Sequence, residues 1–227
     1  MMARSSTPPS TSPSTPRREL ATRRARWAVT LARWLARTGV RPNAVSVGSV
    51  AFALIASSAF ALAAPRTPAV RATLLFAAAV CIQLRLLCNL LDGMLAVEEG
   101  LKSKTGDIFN DLPDRVADVA ILVGAGYAVR HVVFGVTLGW AAALLAVFTA
   151  YVRLLGGSLG VTQQFIGPMA KQHRMFTLTV ATLLAVVESI VDATPRAIWV
   201  GLAVIVAGSI MTVIRRTGRI ATEVNAR

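Results

Sequence analysis

The acidic residues of this chain are few and bunched. Of its eleven Asp and Glu, seven fall between residues 92 and 118, in DGMLAVEEGLKSKTGDIFNDLPDRVAD. Asn89, Asp92 and Ala96 share one helical stripe. Asn110 and Asp114, four apart, share the face of a second helix, and Asp107, Asp111, Asp114 and Asp118 recur there at spacings of 4, 3 and 4. A short loop between the two helices brings their oxygen-bearing ends together. Clustered carboxylates repel one another unless a cation joins them. Oxygen donors suit Mg²⁺, Mn²⁺ or Ca²⁺ rather than zinc. Arg85 lies on the Asn89 stripe, one turn earlier, where it can pair with Asp92 or hold a phosphate. Pro113 frees a backbone carbonyl one turn before it. A second set of candidates, Arg153, Lys171 and Arg174, stands with Gly156, Gly157 and His173 in a stretch that contains no acid. It suits either a phosphate-bearing ligand or the lipid head groups of a membrane surface. His173 reads as a surface residue, and Glu188 and Asp192 as non-catalytic.

The elements that must position these residues follow from composition. The chain has 227 residues, 55% of them apolar and only 15% charged, with a mean hydropathy of +0.61. Yet Lys and Arg exceed Asp and Glu by 24 to 11, a net charge of +13. That excludes a disordered protein, a disulfide scaffold and an ordinary soluble enzyme, and it argues against a nucleic-acid partner. Apolar blocks near 44–64, 72–97, 107–129, 132–154, 175–193 and 196–214 each approach the roughly 20 residues a membrane helix needs. The expected fold is all-α: a six-helix membrane domain over 43–214. Ahead of it stand a Ser/Thr/Pro-rich disordered tail at 1–19 and an amphipathic interfacial helix at 20–42. In that helix Trp27, Leu31, Trp34 and Leu35 face away from most of the arginines. A basic tail, 215–227, closes the chain. With six spans, 19 of the 24 basic residues fall on the side of both termini and of loops 98–106 and 155–174, so that side is expected to be cytoplasmic, in a bacterial cell membrane. Cys81 and Cys88 lie too far apart on one helix to form a disulfide, about 10.5 Å along its axis.

The spacing of the polar segment resembles the signature of the CDP-alcohol phosphatidyltransferase family. Asn89-x2-Asp92-Gly93-x2-Ala96-Val97-x8-Gly106-x3-Asn110-x3-Asp114 matches D-x2-D-G-x2-A-R-x8-G-x3-D-x3-D throughout in spacing. Identity is kept at five of its eight positions: Asp92, Gly93, Ala96, Gly106 and Asp114. The six-span architecture and Arg41-Pro42-Asn43 before the first span also look like the family. The resemblance implies a transferase of phospholipid synthesis that moves a phosphatidyl-type group from a CDP-alcohol, such as CDP-diacylglycerol, to an alcohol and releases CMP. It implies Mg²⁺ or Mn²⁺ held by Asn89, Asp92, Asn110 and Asp114, with Asp114 also the catalytic base. Gly93, Ala96 and Gly106 would line the CDP pocket, and Arg85, Arg153, Lys171 and Arg174 would contact substrate. A homodimer and surrounding membrane lipids are further implied partners.

Three positions depart from the pattern. Asn89 and Asn110 replace aspartates and Val97 replaces an arginine, so the four-residue ligand set carries −2 rather than −4. One or two ions, compensation by Asp107 and Asp111, or lost catalysis are all compatible with that change. The alternatives to a transferase are a catalytically silent relative that binds a nucleotide-lipid or regulates a partner, and a small membrane transporter.

Overall fold

The computed structural model describes residues 26–64, 66–97, 106–162, 165–191 and 196–227, without the side chains of Ala96, Val97 and Asp107. The tail expected at 1–19, the first residues of the helix expected from 20, Lys102, Lys104 and Asp192 lie outside the described residues. Among the described residues all regular structure is helical: α1 (Arg26–Arg37), α2 (Pro42–Ala63), α3 (Pro68–Val97), α4 (Gly106–Ala128), α5 (Gly135–Ser158), α6 (Lys171–Ile190) and α7 (Ala197–Asn225). Five of them, α2, α3, α5, α6 and α7, are long and apolar enough to cross a membrane. The expected sixth, α4, falls outside that set, because Asp107, Asp111, Asp114, Arg115 and Asp118 crowd its first half.

The helix ends follow local chemistry. α1 stops at Arg37, short of the expected 42, where Gly39 turns the chain at φ 76° and Pro42 opens α2. The basic residues after 214 continue α7 as helix to Asn225. At the far end, the Glu188 carboxylate accepts the Ala197 backbone N–H at 3.1 Å, satisfying a donor in the first turn of α7. Both cysteines are free.

The six long helices close a ring. α2 packs on α3, α3 on α6, α6 on α7, α7 on α5, α5 on α4, and α4 back on α2. α1 lies against α3, with Ala28 and Ala32 buried beside Leu91 and Met94 while Trp27 and Trp34 stay exposed. Small side chains let the ring close. On α2 the buried stripe is Ser46, Ser49, Ala53, Ala56, Phe60 and Ala63. Where α4 crosses α5, a Cβ on Gly126 would stand 2.8 Å from the Gly139 Cα, so the two backbones touch without side chains between them. Such contacts drive helix association where lipid competes equally for apolar side chains. Gly126→Val is therefore expected to overpack the α4–α5 crossing by about 1–3 kcal/mol and lower the detergent-solubilised melting temperature. Gly48→Ala, where a Cβ meets nothing within 4 Å, should leave it unchanged or higher.

Candidate active site

α4 packs on α2 and α5 but reaches α3 and α6 chiefly through charged side chains. Its expected acidic stripe points into the ring. Asp114 and Asp118 are both buried, at 6% and 1% exposure. Asp118 takes Arg85 Nη2 on Oδ1 at 2.8 Å and Arg174 Nη2 on Oδ2 at 3.2 Å, which joins α3, α4 and α6. Asp114 takes Arg85 Nη2 on Oδ1 at 3.2 Å and the Lys171 ammonium on Oδ2. Asp111, nearer the helix start, pairs with Arg115 at 3.4 Å and with Arg153 of α5 at 3.2 Å, and Arg153 also lies 5.8 Å over the Phe165 ring. Buried charges are tolerated only when paired, and each of these is.

Asp92 differs from the other three. It is 4% exposed, and it faces the same interior from α3. Ser46 of α2 donates its hydroxyl to Oδ2 at 2.5 Å, while Oδ1 has no partner. Asn89, one turn earlier, has an amide nitrogen that is likewise buried and unpaired. An unsatisfied buried carboxylate oxygen is costly unless something else fills its coordination. The Asp92 oxygen therefore marks an open acceptor, and the Asn89 amide nitrogen beside it an unmet hydrogen-bond donor. Arg85 is fully buried and leaves Nε and Nη1 unpaired in the same interior.

The segment before α6 is fixed on three sides. Arg216 donates to the carbonyls of Ile166 (2.9 Å) and Thr149 (2.8 Å). Thr212 accepts the Met169 N–H at 3.0 Å. Arg174 donates to the Met169 carbonyl at 3.0 Å and to the Thr149 hydroxyl at 3.1 Å. Gly167 turns there at φ 114°, and a Cβ would come within 2.6 Å of Thr212. Lys171 therefore starts α6 from an anchored turn.

The structure thus brings Arg85, Asn89, Asp92, Asp114, Lys171 and Arg174 to one interior, with Arg153 at its edge beside Asp111. Gly93 lies half-buried on the same helix, and Gly106 opens α4. The side chains of Ala96 and Asp107 lie outside the described residues. Asn110 is exposed, one turn before the buried Asp114 on α4. Among the described residues no three Asp, Glu, His or Cys side chains form a ready metal cage. Arg85 reaches across to Asp114 and Asp118 of α4 rather than pairing with Asp92 on its own helix. From the acid-free stretch 153–174, Arg153, Lys171 and Arg174 each pair with an aspartate of α4. Ser46 and Arg216 were not anticipated. Arg216 was legible, since Ile205, Ser209, Thr212, Arg216 and Ile220 recur as one buried stripe of α7.

The pairing predicts stability. Arg85→Met takes one of two cationic partners from each of two buried carboxylates, Asp114 and Asp118, a loss of about 3–5 kcal/mol. Arg219→Ala, whose pair with Glu223 is exposed, should change stability by less than about 1 kcal/mol. Thermal unfolding of both variants in one detergent checks the contrast.

No family model and no curated protein sequence matches the chain. Solved structures do. The phosphatidylinositol phosphate synthase of Mycobacterium tuberculosis with CDP-DAG bound superposes with a TM-score of 0.72 at 20% identity, covering 86% of this chain and 94% of that one. The same enzyme in complex with manganese and citrate gives 0.72 at 20% identity, over 86% and 89%. Its apo form gives 0.70 at 20% identity, over 85% and 95%. The chain shares the fold of that synthase over nearly the whole length of both proteins.

Proposed function

We propose that this chain is an integral-membrane transferase that moves a phosphatidyl group from a CDP-linked lipid to an alcohol, releasing CMP. The observation that carries the reading is Asp92 Oδ1, buried and unpaired beside Asp114 and Lys171, in a fold shared with a synthase solved with CDP-DAG. The signature spacing from Asn89 to Asp114 adds support from the sequence. On this reading α4 is the sixth span and α1 an interfacial helix with Trp27 and Trp34 at the lipid boundary. The site and both termini face the cytoplasm of a bacterium, as the distribution of Lys and Arg favours.

A divalent cation fits the residues present. Asp92 offers a free carboxylate oxygen and Asn89 an amide one turn away, both oxygen-bearing groups of the class that Mg²⁺ and Mn²⁺ prefer. Manganese accompanies the shared fold in a neighbouring structure. Asp92 and Asn89, with Asp114, would hold the ion. Bound there, it would neutralise pyrophosphate charge and favour departure of CMP.

The chain's own residues account for the remaining work. The acceptor oxygen attacks the lipid-side phosphorus, the bond from that phosphorus to the bridging oxygen breaks, and CMP leaves with that oxygen. Asp114 takes the acceptor proton. Each carboxylate offers about four lone-pair directions, and Arg85 and Lys171 use two, so Asp114 keeps a direction for an incoming hydroxyl. Arg85, with two unpaired buried nitrogens, would bind phosphate oxygen in place of the arginine that Val97 replaces. Arg153 and Arg174, at the mouth and floor of the basic segment, would orient the acceptor. Gly93 and Gly106 keep both helix ends narrow where the nucleotide would enter.

The reading is tested by CMP release from CDP-diacylglycerol with Mg²⁺ or Mn²⁺ across a panel of alcohols. Asp92→Asn and Asp114→Asn are each expected to lower turnover by at least ~10²-fold, and chelation to abolish it. Glu188→Gln, at the opposite end of the bundle, should retain it. Full activity in Asp114→Asn would remove the assigned base. Absence of CMP release with every acceptor, in protein that binds the CDP-lipid, would favour a silent relative.

A further inference from the structure

Lys171 lies where a free acceptor-binding cation would be least expected. Its ammonium is bonded to Asp114 Oδ2, its side chain is 24% exposed, and the turn that delivers it is anchored by Thr212, Arg174 and Arg216. The charges of the interior explain why. Among the described side chains, Asp92, Asp114 and Asp118 supply three negative charges to it, and Arg85, Lys171 and Arg174 three positive ones. Asn89 and Asn110 add none. Two divalent ions placed here would meet a site already balanced by protein cations. Among the described carboxylates of this interior, Asp92 alone has an oxygen with neither a hydrogen bond nor an ion pair, its other oxygen being held by Ser46 from α2.

We propose that Lys171 is a resident cation that takes the charge role of a second divalent ion at Asp114, leaving the site one ion, held by Asp92 and Asn89 with Asp114. The inference rests on the metal-dependent reading above. Its physical basis is that an ammonium on a tethered four-carbon arm supplies positive charge without requiring a ligand cage. Loss of the carboxylates at 89 and 110 is then matched by a gain inside the chain, and no ligand is missing from a two-ion site. Lys171 is a positioning and charge-balancing residue here, distinct from an acceptor contact.

Manganese titration of the purified full-length chain, followed by electron paramagnetic resonance without donor or acceptor, reads the proposal directly. Wild type is expected to bind one Mn²⁺ per chain, and Asp92→Asn to lose it. Lys171→Gln removes a positive charge from the interior that holds the ion and should tighten Mn²⁺ binding by about tenfold. Lys171→Arg, which keeps the charge and folds on the same pair, should bind as wild type does. Two ions in wild type, none in wild type, or equal affinity in Lys171→Gln and wild type would each overturn the proposal. An acceptor-binding lysine would instead leave Mn²⁺ affinity unchanged and raise KM for the alcohol. The readout needs no turnover. Failure of the transferase reading appears as missing CMP release, whereas failure of this inference appears in ion count and affinity.

Discussion

The ion pairs from α4 to α3 and α6 are the constraint on which the interior depends. α4 has the wrong composition for a lipid-facing helix, because its first half carries four aspartates. Unpaired, each would be expelled from an apolar bundle at a cost of several kcal/mol. Paired with Arg85, Lys171 and Arg174, Asp114 and Asp118 become the means by which α4 meets two helices that its backbone barely touches. The helix ring and the charged interior are therefore one structure. Closing the ring buries the charges, and the charges fix the rotation of α4 within it.

That arrangement separates support from chemistry. Asp118 pairs with two arginines and holds helices together. Asp111 does similar work at the surface with Arg115 and Arg153. Asp92 has one oxygen fixed by Ser46 and one left over, and Arg85 has two donors left over. Buried polar groups without partners are rare in stable structures, and here they gather in one place. A phosphate-bearing substrate and a divalent ion would satisfy both signs of that surplus at once.

Much of this was legible in the sequence. The apolar blocks located five of the six long helices to within about four residues at each end, and the start of the sixth, which runs on past its block to Asn225. The 4, 3, 4 spacing of the α4 aspartates predicted a shared face; Asp114 and Asp118 pair inward from it, and Asp111 pairs nearer the surface. What sequence spacing could not supply was the partner of each charge. Arg85 is one turn from Asn89 and so was read against its own helix, but a long side chain pointing into a ring reaches across to α4. The basic stretch 153–174 looked unopposed because its acids lie some forty residues earlier in the chain. α1 proved shorter than its amphipathic pattern because Gly39 and Pro42 dictate the turn into α2. The α7 stripe that carries Arg216 inward was periodic enough to be read, but its position after an apolar block made it resemble a tail.

The central claim is that this interior carries out phosphoryl transfer to an alcohol. The most direct measurement is the product balance after incubation of purified protein with CDP-diacylglycerol, Mn²⁺ and an acceptor panel, with CMP and lipid products quantified together by mass spectrometry. The account predicts one new phosphodiester lipid for each CMP released, formed only when a suitable alcohol is present. CMP accompanied by phosphatidate alone would mean that water is the acceptor, and intact donor under every condition would mean that the buried charges serve the fold and not a reaction.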